Sequence, residues 1–119
     1  MLRDGKGFKR VIICCGKVDL RLGIDGLSAY VRLNYGLDVF EKGTLFLFCG
    51  NRTDRIKGLC FEGDGTTMLY KRLSEGNHFQ WPRNPDEARE ISPIAYRRLM
   101  EGFTIEGTIH EKYPRIVTR

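Results

Sequence analysis

Basic and aromatic residues alternate through the middle of the chain, and the two kinds together are typical of nucleic-acid binding. Lysine and arginine contact phosphates, while aromatic rings stack on exposed bases. The candidate DNA-binding residues are Arg52, Arg55, Lys57, Lys71, Arg72 and Arg83. The interleaved aromatic residues are Tyr70, Phe79 and Trp81. If Arg55 and Lys71 lie on adjacent strands, hairpin pairing gathers these charges on one ribbon.

A purely structural role explains the same residues equally well. The aromatic rings can be core residues, and nearby carboxylates can neutralise the basic side chains. Those carboxylates are Asp54, Glu62, Asp64 and Glu75. Composition alone leaves the DNA-binding ribbon and the neutralised ribbon both open.

Catalytic chemistry has weaker support in the residue pattern. A two-metal site for phosphodiester chemistry needs clustered carboxylates. The candidates are Asp19, Asp25, Asp54, Glu62 and Asp64. Helix caps, turns and adjacent arginines account for each of them. His78 and His110 stand at no ligand spacing from a cysteine, and the chain has no phosphate-binding glycine motif. We therefore predict no enzyme activity, no metal and no cofactor.

The distribution of charge limits how the protein can attract DNA. The 119 residues carry a formal net charge of +5, which favours an anionic partner. The first ten residues hold four basic residues and one acidic residue, and residues 107–119 hold three and one. Residues 11–106 are therefore neutral overall, so the body of the protein can attract DNA only where it separates its charges in space.

Hydrophobic patterning predicts the elements of the N-terminal half. Val11–Cys15 is an apolar run typical of a buried strand. A helix follows, because four apolar residues recur at helical spacing: Ile24, Leu27, Val31 and Tyr35. Gly36 is placed to end this helix, and Asp19 or Asp25 to cap its beginning. Thr44–Cys49 is a continuous apolar strand, which favours a central position in a sheet.

The middle of the chain predicts an antiparallel meander. Arg55–Glu62 and Thr66–Leu73 are strands joined by the hairpin turn Glu62–Gly65. In Thr66–Leu73, residues alternate between two faces, which is typical of a half-buried strand. Phe79–Pro82 is a further extended piece.

The C-terminal part predicts a loop and a second helix. Arg83–Glu90 is polar and is interpreted as a surface loop. Ser92 and Pro93 begin a helix that runs to Glu101 and ends at Gly102. Its inward residues are Ala95, Tyr96, Leu99 and Met100. The order of elements predicts an α+β fold: a small single domain over residues 1–119, with an antiparallel β-meander, an N-terminal strand and two packed helices. Its ordered core spans about residues 8–106, and we expect the basic ends 1–7 and 107–119 to be mobile.

The same composition predicts a cytoplasmic protein. The longest apolar runs have five residues, whereas a transmembrane helix needs about 20. The start of the chain has no apolar stretch of signal-peptide length. The four cysteines show no C-x-x-C spacing, and we expect them to be buried and reduced.

A series of motifs resembles one protein family over residues 8–106. Asp19–Leu27 is similar to the signature D-[LM]-R-x-G-I-D-G-L of the accessory protein TnpB. That family is encoded by the second open reading frame of IS66-class bacterial insertion sequences and is distinct from the RNA-guided nuclease of the same name. The other similar segments are Thr44–Gly50, Asp54–Leu59, Glu62–Gly65, Leu69–Leu73, Phe79–Arg83 and Leu99–Gly102. The motif residues to which the resemblance assigns no role are Asp19, Arg21, Gly23, Asp25, Gly26, Asp54, Gly63, Gly65, Trp81 and Pro82.

The resemblance implies a non-catalytic accessory protein of DNA transposition that acts beside a separate, larger transposase. It implies that the chain binds DNA or assembles the transposition complex. The alternative is a module that contacts only the transposase, through a surface that includes Trp81 and the last helix. One departure concerns Gly50–Thr53, where members often carry more basic residues and this chain has only Arg52.

Overall fold

The computed structural model describes residues 7–84 and 87–105 and the backbone of Arg115–Thr118, and these parts of the chain form six strands and two helices. The strands are β1 (Arg10–Lys17), β2 (Thr44–Cys49), β3 (Arg55–Phe61), β4 (Thr66–Arg72), β5 (Glu87–Ile91) and β6 (Arg115–Thr118). The helices are α1 (Ile24–Tyr35) and α2 (Pro93–Met100). The described strands form one sheet in the order β4-β3-β2-β1-β5-β6. This arrangement confirms the predicted α+β class, with β2, β3 and β4 as the meander.

The sheet is mixed because one pair of neighbouring strands is parallel. β1 and β2 run in the same direction, with Val11 opposite Leu45, and α1 connects them. The other neighbouring strands are antiparallel. A parallel pair needs a crossover connection, here a helix that covers one face of the sheet. Every residue of β2 is buried, which confirms its predicted central position.

Alternate residues of the central strands face two separate cores. On one face, Ile12 and Phe46 pack with Leu27 and Val31 of α1. On the other face, Ile13 and Leu47 pack with α2 and with the segment that contains Phe79 and Trp81. Because both faces are covered, β1 and β2 are continuously apolar and do not alternate.

The helix ends follow the sequence signals except at the beginning of α1. Gly23 is the residue before α1, and no side chain caps this helix, so the prediction that Asp19 or Asp25 caps it was wrong. Asp19 instead accepts hydrogen bonds from Arg21. Gly36 ends α1 with a φ of 66°, as predicted. The Ser92 hydroxyl accepts from the Ala95 amide at 3.0 Å, which confirms the predicted cap of α2.

The predicted loop Arg83–Glu90 was wrong over its second half. Glu87–Ile91 forms β5, which pairs with β1 so that Val11 lies opposite Ile91. The polar composition of this segment did not indicate a strand. A strand forms nonetheless, because the charged residues of β5 are paired in the fold. Arg89 donates to the buried Glu87 carboxylate at 2.6 Å, and Arg10 donates to Glu90 at 2.8 Å. Such pairing removes most of the cost of placing charged residues beside a core.

The two ends of the chain, which we expected to be mobile, lie mostly outside the described residues. Those not described at the ends are residues 1–6, 106–114 and 119. Arg115–Thr118 does form a strand, β6, against β5, which the sequence did not predict. The four cysteines are buried and free, as expected. Among the described residues, no helix has the length and apolar character needed to cross a membrane.

Candidate nucleic-acid interface

The register of the β3–β4 hairpin decides which basic side chains share a face. Directly paired residues of antiparallel strands project to the same side. Arg55 pairs with Arg72, and Lys57 pairs with Tyr70, so these four side chains lie on one face. Lys71 pairs with Ile56 and lies on the other face. The basic pairs are on adjacent strands of one ribbon, as predicted, and the ribbon presents Arg55, Lys57 and Arg72 on one face and Lys71 on the other.

Arg55, Tyr70 and Arg72 of the first face line a cleft at the ends of the strands. A hollow of about 490 Å³ lies beyond the carboxyl ends of β1 and β2, and its lining includes Lys17, Arg21, Arg52, Arg55 and Tyr70. A neighbouring hollow of about 440 Å³ shares Arg52 and Arg55 with it and adds Arg72. We call the two together the strand-end cleft. Its charged lining is Lys17, Asp19, Arg21, Arg52, Asp54, Arg55, Arg72 and Glu75. Five cationic and three anionic side chains therefore line the strand-end cleft.

Asp54 ties two of the arginines together inside the cleft. Its carboxylate accepts from Arg55 Nε at 2.9 Å and from Arg55 Nη2 at 3.2 Å. Arg52 Nη2 lies 3.8 Å from the same carboxylate, and the Arg52 side chain is 71% exposed. The hydrogen bonds from Arg55 hold the pKa of Asp54 below its usual range. Asp54 therefore stays ionised and orients Arg55, while the Arg52 guanidinium remains open to an anion.

The β1–α1 connection forms one wall of the cleft and is held in place from β3. Asp19 Oδ1 accepts both the backbone N–H and the Nε of Arg21 at 3.0 Å, and the Arg21 side chain is 91% exposed. Lys57 Nζ donates to the Leu22 carbonyl at 3.1 Å. Lys57 therefore anchors the wall that presents Arg21, a role that the sequence did not indicate.

Two motif glycines permit the close packing of this wall. A Cβ at Gly26 would stand 2.9 Å from Leu22 Cδ2, and a Cβ at Gly50 would stand 3.1 Å from Leu20 Cγ. Both distances are shorter than ordinary van der Waals contact. By contrast, Gly23 has open space around it, and Asp25 is exposed in the first turn of α1. A negative charge there is favourable, because the helix dipole is positive at its N-terminus.

Arg83 and Trp81 stabilise the strand ends from behind the cleft. The register between β1 and β2 shifts between Ile13 and Lys17, which takes backbone groups out of the regular ladder. Trp81 Nε1 donates to the Cys14 carbonyl at 2.9 Å. Arg83 Nη2 donates to the Gly50 carbonyl at 2.7 Å, and Nη1 donates to the Gly16 carbonyl at 3.4 Å. The Trp81–Arg83 motif, with Pro82 buried between them, thus joins the ends of the two parallel strands.

The aromatic residues divide between core and surface. Phe79 is 2% exposed and Trp81 is 6% exposed, so the core interpretation is correct for both. Tyr70 is 53% exposed and lines the cleft, which leaves its ring accessible to a base. Of the three aromatic residues in the band, Tyr70 alone can stack on a ligand.

Glu62 and Asp64, at the hairpin turn, do not line the strand-end cleft. Glu62 accepts a hydrogen bond from Thr67 at 2.8 Å, away from the arginines. Glu62 N–H and the Gly65 carbonyl close the tight turn, in which Gly63 has a φ of 101°. Of the four carboxylates proposed as neutralising partners, Asp54 is the one with a described ion pair to an arginine of the band. In residues 7–84 and 87–105, no three His, Cys, Asp or Glu side chains are grouped closely enough to hold a metal ion.

The sequence reasoning missed two members of the cleft. Lys17 and Asn51 were not candidates, yet both line it. Lys17 is the last residue of β1 and Asn51 follows β2, and the carboxyl ends of parallel strands meet at one edge of a sheet where ligands are bound. The strand–helix–strand order was visible in the sequence, and a parallel pairing of Val11–Cys15 with Thr44–Cys49 would have indicated this edge.

Comparison with known proteins identifies similar chains over most of the length of this one. A family model described as IS66 Orf2-like protein matches residues 9–109. The protein y4hO of Sinorhizobium fredii is 33% identical over 103 residues, which cover 87% of this chain and 87% of the relative. The protein y4jC of the same organism is 31% identical over 103 residues, which cover 87% and 86%. Both relatives carry the description "uncharacterized protein". No solved structure matches the chain significantly.

Proposed function

Because the chain belongs to the IS66 Orf2-like family, which associates it with transposition, we propose that it is a non-catalytic accessory protein that binds DNA phosphates through the strand-end cleft. It acts beside a separate, larger transposase of the same element. Its four buried, free cysteines are compatible with work in the reducing cytoplasm.

The segregation of charge carries this proposal. Residues 11–106 are neutral overall, yet five cations and three carboxylates line one cleft at one end of the sheet. A local excess of cations raises the concentration of a polyanion at that surface. Sequence-independent affinity for DNA comes mainly from contacts of this kind.

The candidate residues then take three different roles. Arg52 and Arg72 are exposed cations of the cleft that contact phosphates, and Arg55 is oriented among them by Asp54. Lys57 and Arg83 hold backbone carbonyls and position the cleft. Lys71 lies on the opposite face and makes no contact with DNA bound there.

Binding of a fluorescent DNA duplex of mixed sequence, titrated over a series of salt concentrations, tests the proposal. Four cations of the cleft are exposed: Lys17, Arg21, Arg52 and Arg72. If each neutralises one phosphate, the logarithm of the binding constant falls against the logarithm of salt with a slope of about −3.6. Replacement of Arg52 and Arg72 by alanine reduces the slope to about −1.8 and weakens binding at low salt.

The matched control removes the same charge from another place. Arg32 and Arg97 are exposed on α1 and α2, away from the cleft, so the double alanine variant at these positions keeps the wild-type slope. A parallel titration with single-stranded DNA, using Tyr70→Ala, measures the stacking contribution of the tyrosine ring. Absence of binding at low salt, or equal slopes for the two double variants, refutes the cleft as the DNA contact.

An apolar surface near α2 supports a second candidate function, contact with the transposase without DNA. Ile94 is 67% exposed and Phe103 is 53% exposed, and the Arg98 guanidinium lies 5.2 Å from the centre of the Phe103 ring. Trp81 cannot take part, because it is buried. Co-purification with the transposase after nuclease treatment, lost in Ile94→Asp but kept in the Arg52, Arg72 double variant, would favour this function over DNA binding.

A further inference from the structure

β4 is the edge strand of the sheet, and its outer side has no covering element among the described residues. All seven of its residues pair with β3 without a shift in register. Within the same part of the chain, no strand lies on its other side. The strand contains neither a proline nor a bulge, which are two devices that usually protect an edge strand from pairing.

Two backbone hydrogen bonds establish which residues present their amides outward. The Leu73 N–H donates to the Asp54 carbonyl at 2.7 Å, and the Glu62 N–H donates to the Gly65 carbonyl at 2.8 Å. In an antiparallel ladder, residues alternate between bonding one neighbour and bonding the other. The odd-numbered residues of β4 therefore bond to β3. The N–H and C=O groups of the even-numbered residues point away from the sheet, and these residues are Thr66, Met68, Tyr70 and Arg72.

The side chains of the same residues make the edge partly apolar. Met68 is 38% exposed and Tyr70 is 53% exposed, and both lie on the face that carries α1 because they pair with Leu59 and Lys57. An exposed methionine and an exposed tyrosine beside outward-facing amides are typical of a surface that accepts another strand.

The charges of the hairpin are arranged with opposite signs at its two ends. Glu62 and Asp64 lie at the turn before β4, and Lys71 and Arg72 lie at the end of β4. An antiparallel copy of this strand would place the basic end of each beside the acidic end of the other. The edge is therefore complementary to itself, which is the requirement for a two-fold symmetric interface.

We propose that β4 pairs antiparallel with β4 of a second copy of this chain, so that one sheet continues through a symmetric dimer. The only register that pairs all seven residues and also joins even-numbered residues places Leu69 opposite the partner subunit's Leu69. Met68 then exchanges both backbone hydrogen bonds with the partner subunit's Tyr70. Arg72 lies opposite the partner subunit's Thr66, and the partner subunit's Asp64 is within reach of its long side chain.

The dimer contains two strand-end clefts, one from each copy of the chain. The two-fold axis of antiparallel strands is perpendicular to the sheet, so both clefts open on the same face. The two Arg72 positions are separated by six residue steps along the shared ribbon, which is about 20 Å. This inference does not depend on DNA binding, because its tests measure mass and covalent linkage.

The first test measures the molar mass of the full chain by light scattering or sedimentation over a series of concentrations. Met68→Pro removes an outward N–H and leaves the bonds to β3 in place. Because symmetry removes two hydrogen bonds for each dimer, we expect the dissociation constant to rise by more than about tenfold. Met68→Ala keeps the N–H and is the matched control, with a rise of less than about threefold. A monomer at all concentrations, or equal effects of the two variants, overturns the proposal.

The second test reads the register and does not depend on the proline variant folding. Leu69→Cys places two thiols at a non-hydrogen-bonded pair, where the Cα atoms are about 4.5 Å apart and a disulfide can form. We expect mild oxidation to link two copies of Leu69→Cys and not of Thr66→Cys, whose counterpart is Arg72. The native cysteines are buried and do not compete. A dimer that does not link through position 69 refutes the proposed pairing.

Discussion

Replacement of Arg83 tests whether its guanidinium stabilises the fold or contacts DNA. By residue type and sequence position, Arg83 belongs with the basic band. In the structure, its guanidinium instead donates hydrogen bonds to backbone carbonyls. The Nη2–Gly50 oxygen distance is 2.7 Å, and the Nη1–Gly16 oxygen distance is 3.4 Å. Both glycines are buried, so water cannot easily replace the lost donor. We therefore predict that Arg83→Ala destabilises the fold and leaves the salt dependence of DNA binding unchanged.

The magnitude follows from the two hydrogen bonds. The shorter one is charge-assisted and contributes about 1.5–3 kcal/mol, and the longer one adds little. A loss of about 2 kcal/mol in the free energy of unfolding lowers the melting temperature of a domain of this size by about 8 °C. Arg83→Lys keeps one charged donor and should recover part of the loss.

Urea denaturation, followed by the fluorescence of the single tryptophan, measures this loss for both variants. The companion measurement is the salt dependence of DNA binding. We expect Arg83→Ala to retain the wild-type slope and Arg52→Ala to retain the wild-type stability. If Arg83→Ala were as stable as the wild type and its slope fell by about 0.9, Arg83 would be a phosphate contact and the reasoning would be wrong.

Two further predictions concern pH and the hairpin turn. The pKa of Asp54 is lowered by its hydrogen bonds with Arg55, so the stabilisation from this carboxylate is complete above about pH 4 and is lost as pH falls through the lowered value. Urea titrations at several pH values should show a weaker acid dependence for Asp54→Asn, and an unchanged one would contradict the pairing. Gly63 has a φ of 101°, so Gly63→Ala should cost about 1 kcal/mol or more. A Cβ at Gly65 would meet no heavy atom within 4 Å, and thermal unfolding of Gly65→Ala should show a change within about 0.5 kcal/mol.

Local signals predicted the elements whose character is carried by a few adjacent residues. Gly36 at the end of α1, and Ser92 with Pro93 at the start of α2, act through their own backbone conformation and hydrogen bonds. The apolar run Thr44–Cys49 is buried in the centre of the sheet because no other position covers both of its faces. These features need no knowledge of distant parts of the chain.

Features that depend on distant partners were beyond such reasoning. β5 was missed because Glu87 is neutralised by Arg89, and Glu90 by Arg10, which is 80 residues away in sequence. The alternation of residues in β4 placed Lys71 and Arg72 on opposite faces, but which of them shares a face with Arg55 depends on the register with β3. The roles of Lys57 and Arg83 depend on carbonyls of the Leu22 and Gly50 loops, and residue type does not reveal them.

The reactivity of the buried thiols can measure local opening of the fold. Burial raises the pKa of Cys49 to about 11 and that of Cys14 further, so in the closed fold these thiols are poorly reactive. A thiol reagent can reach them only when part of the sheet opens. Cys60, at 7% exposure in β3 next to the edge strand, should react before Cys14 and Cys15, which have 0% exposure in β1. The order of modification, read by mass spectrometry, would rank the stability of the sheet from its edge to its centre without any substitution.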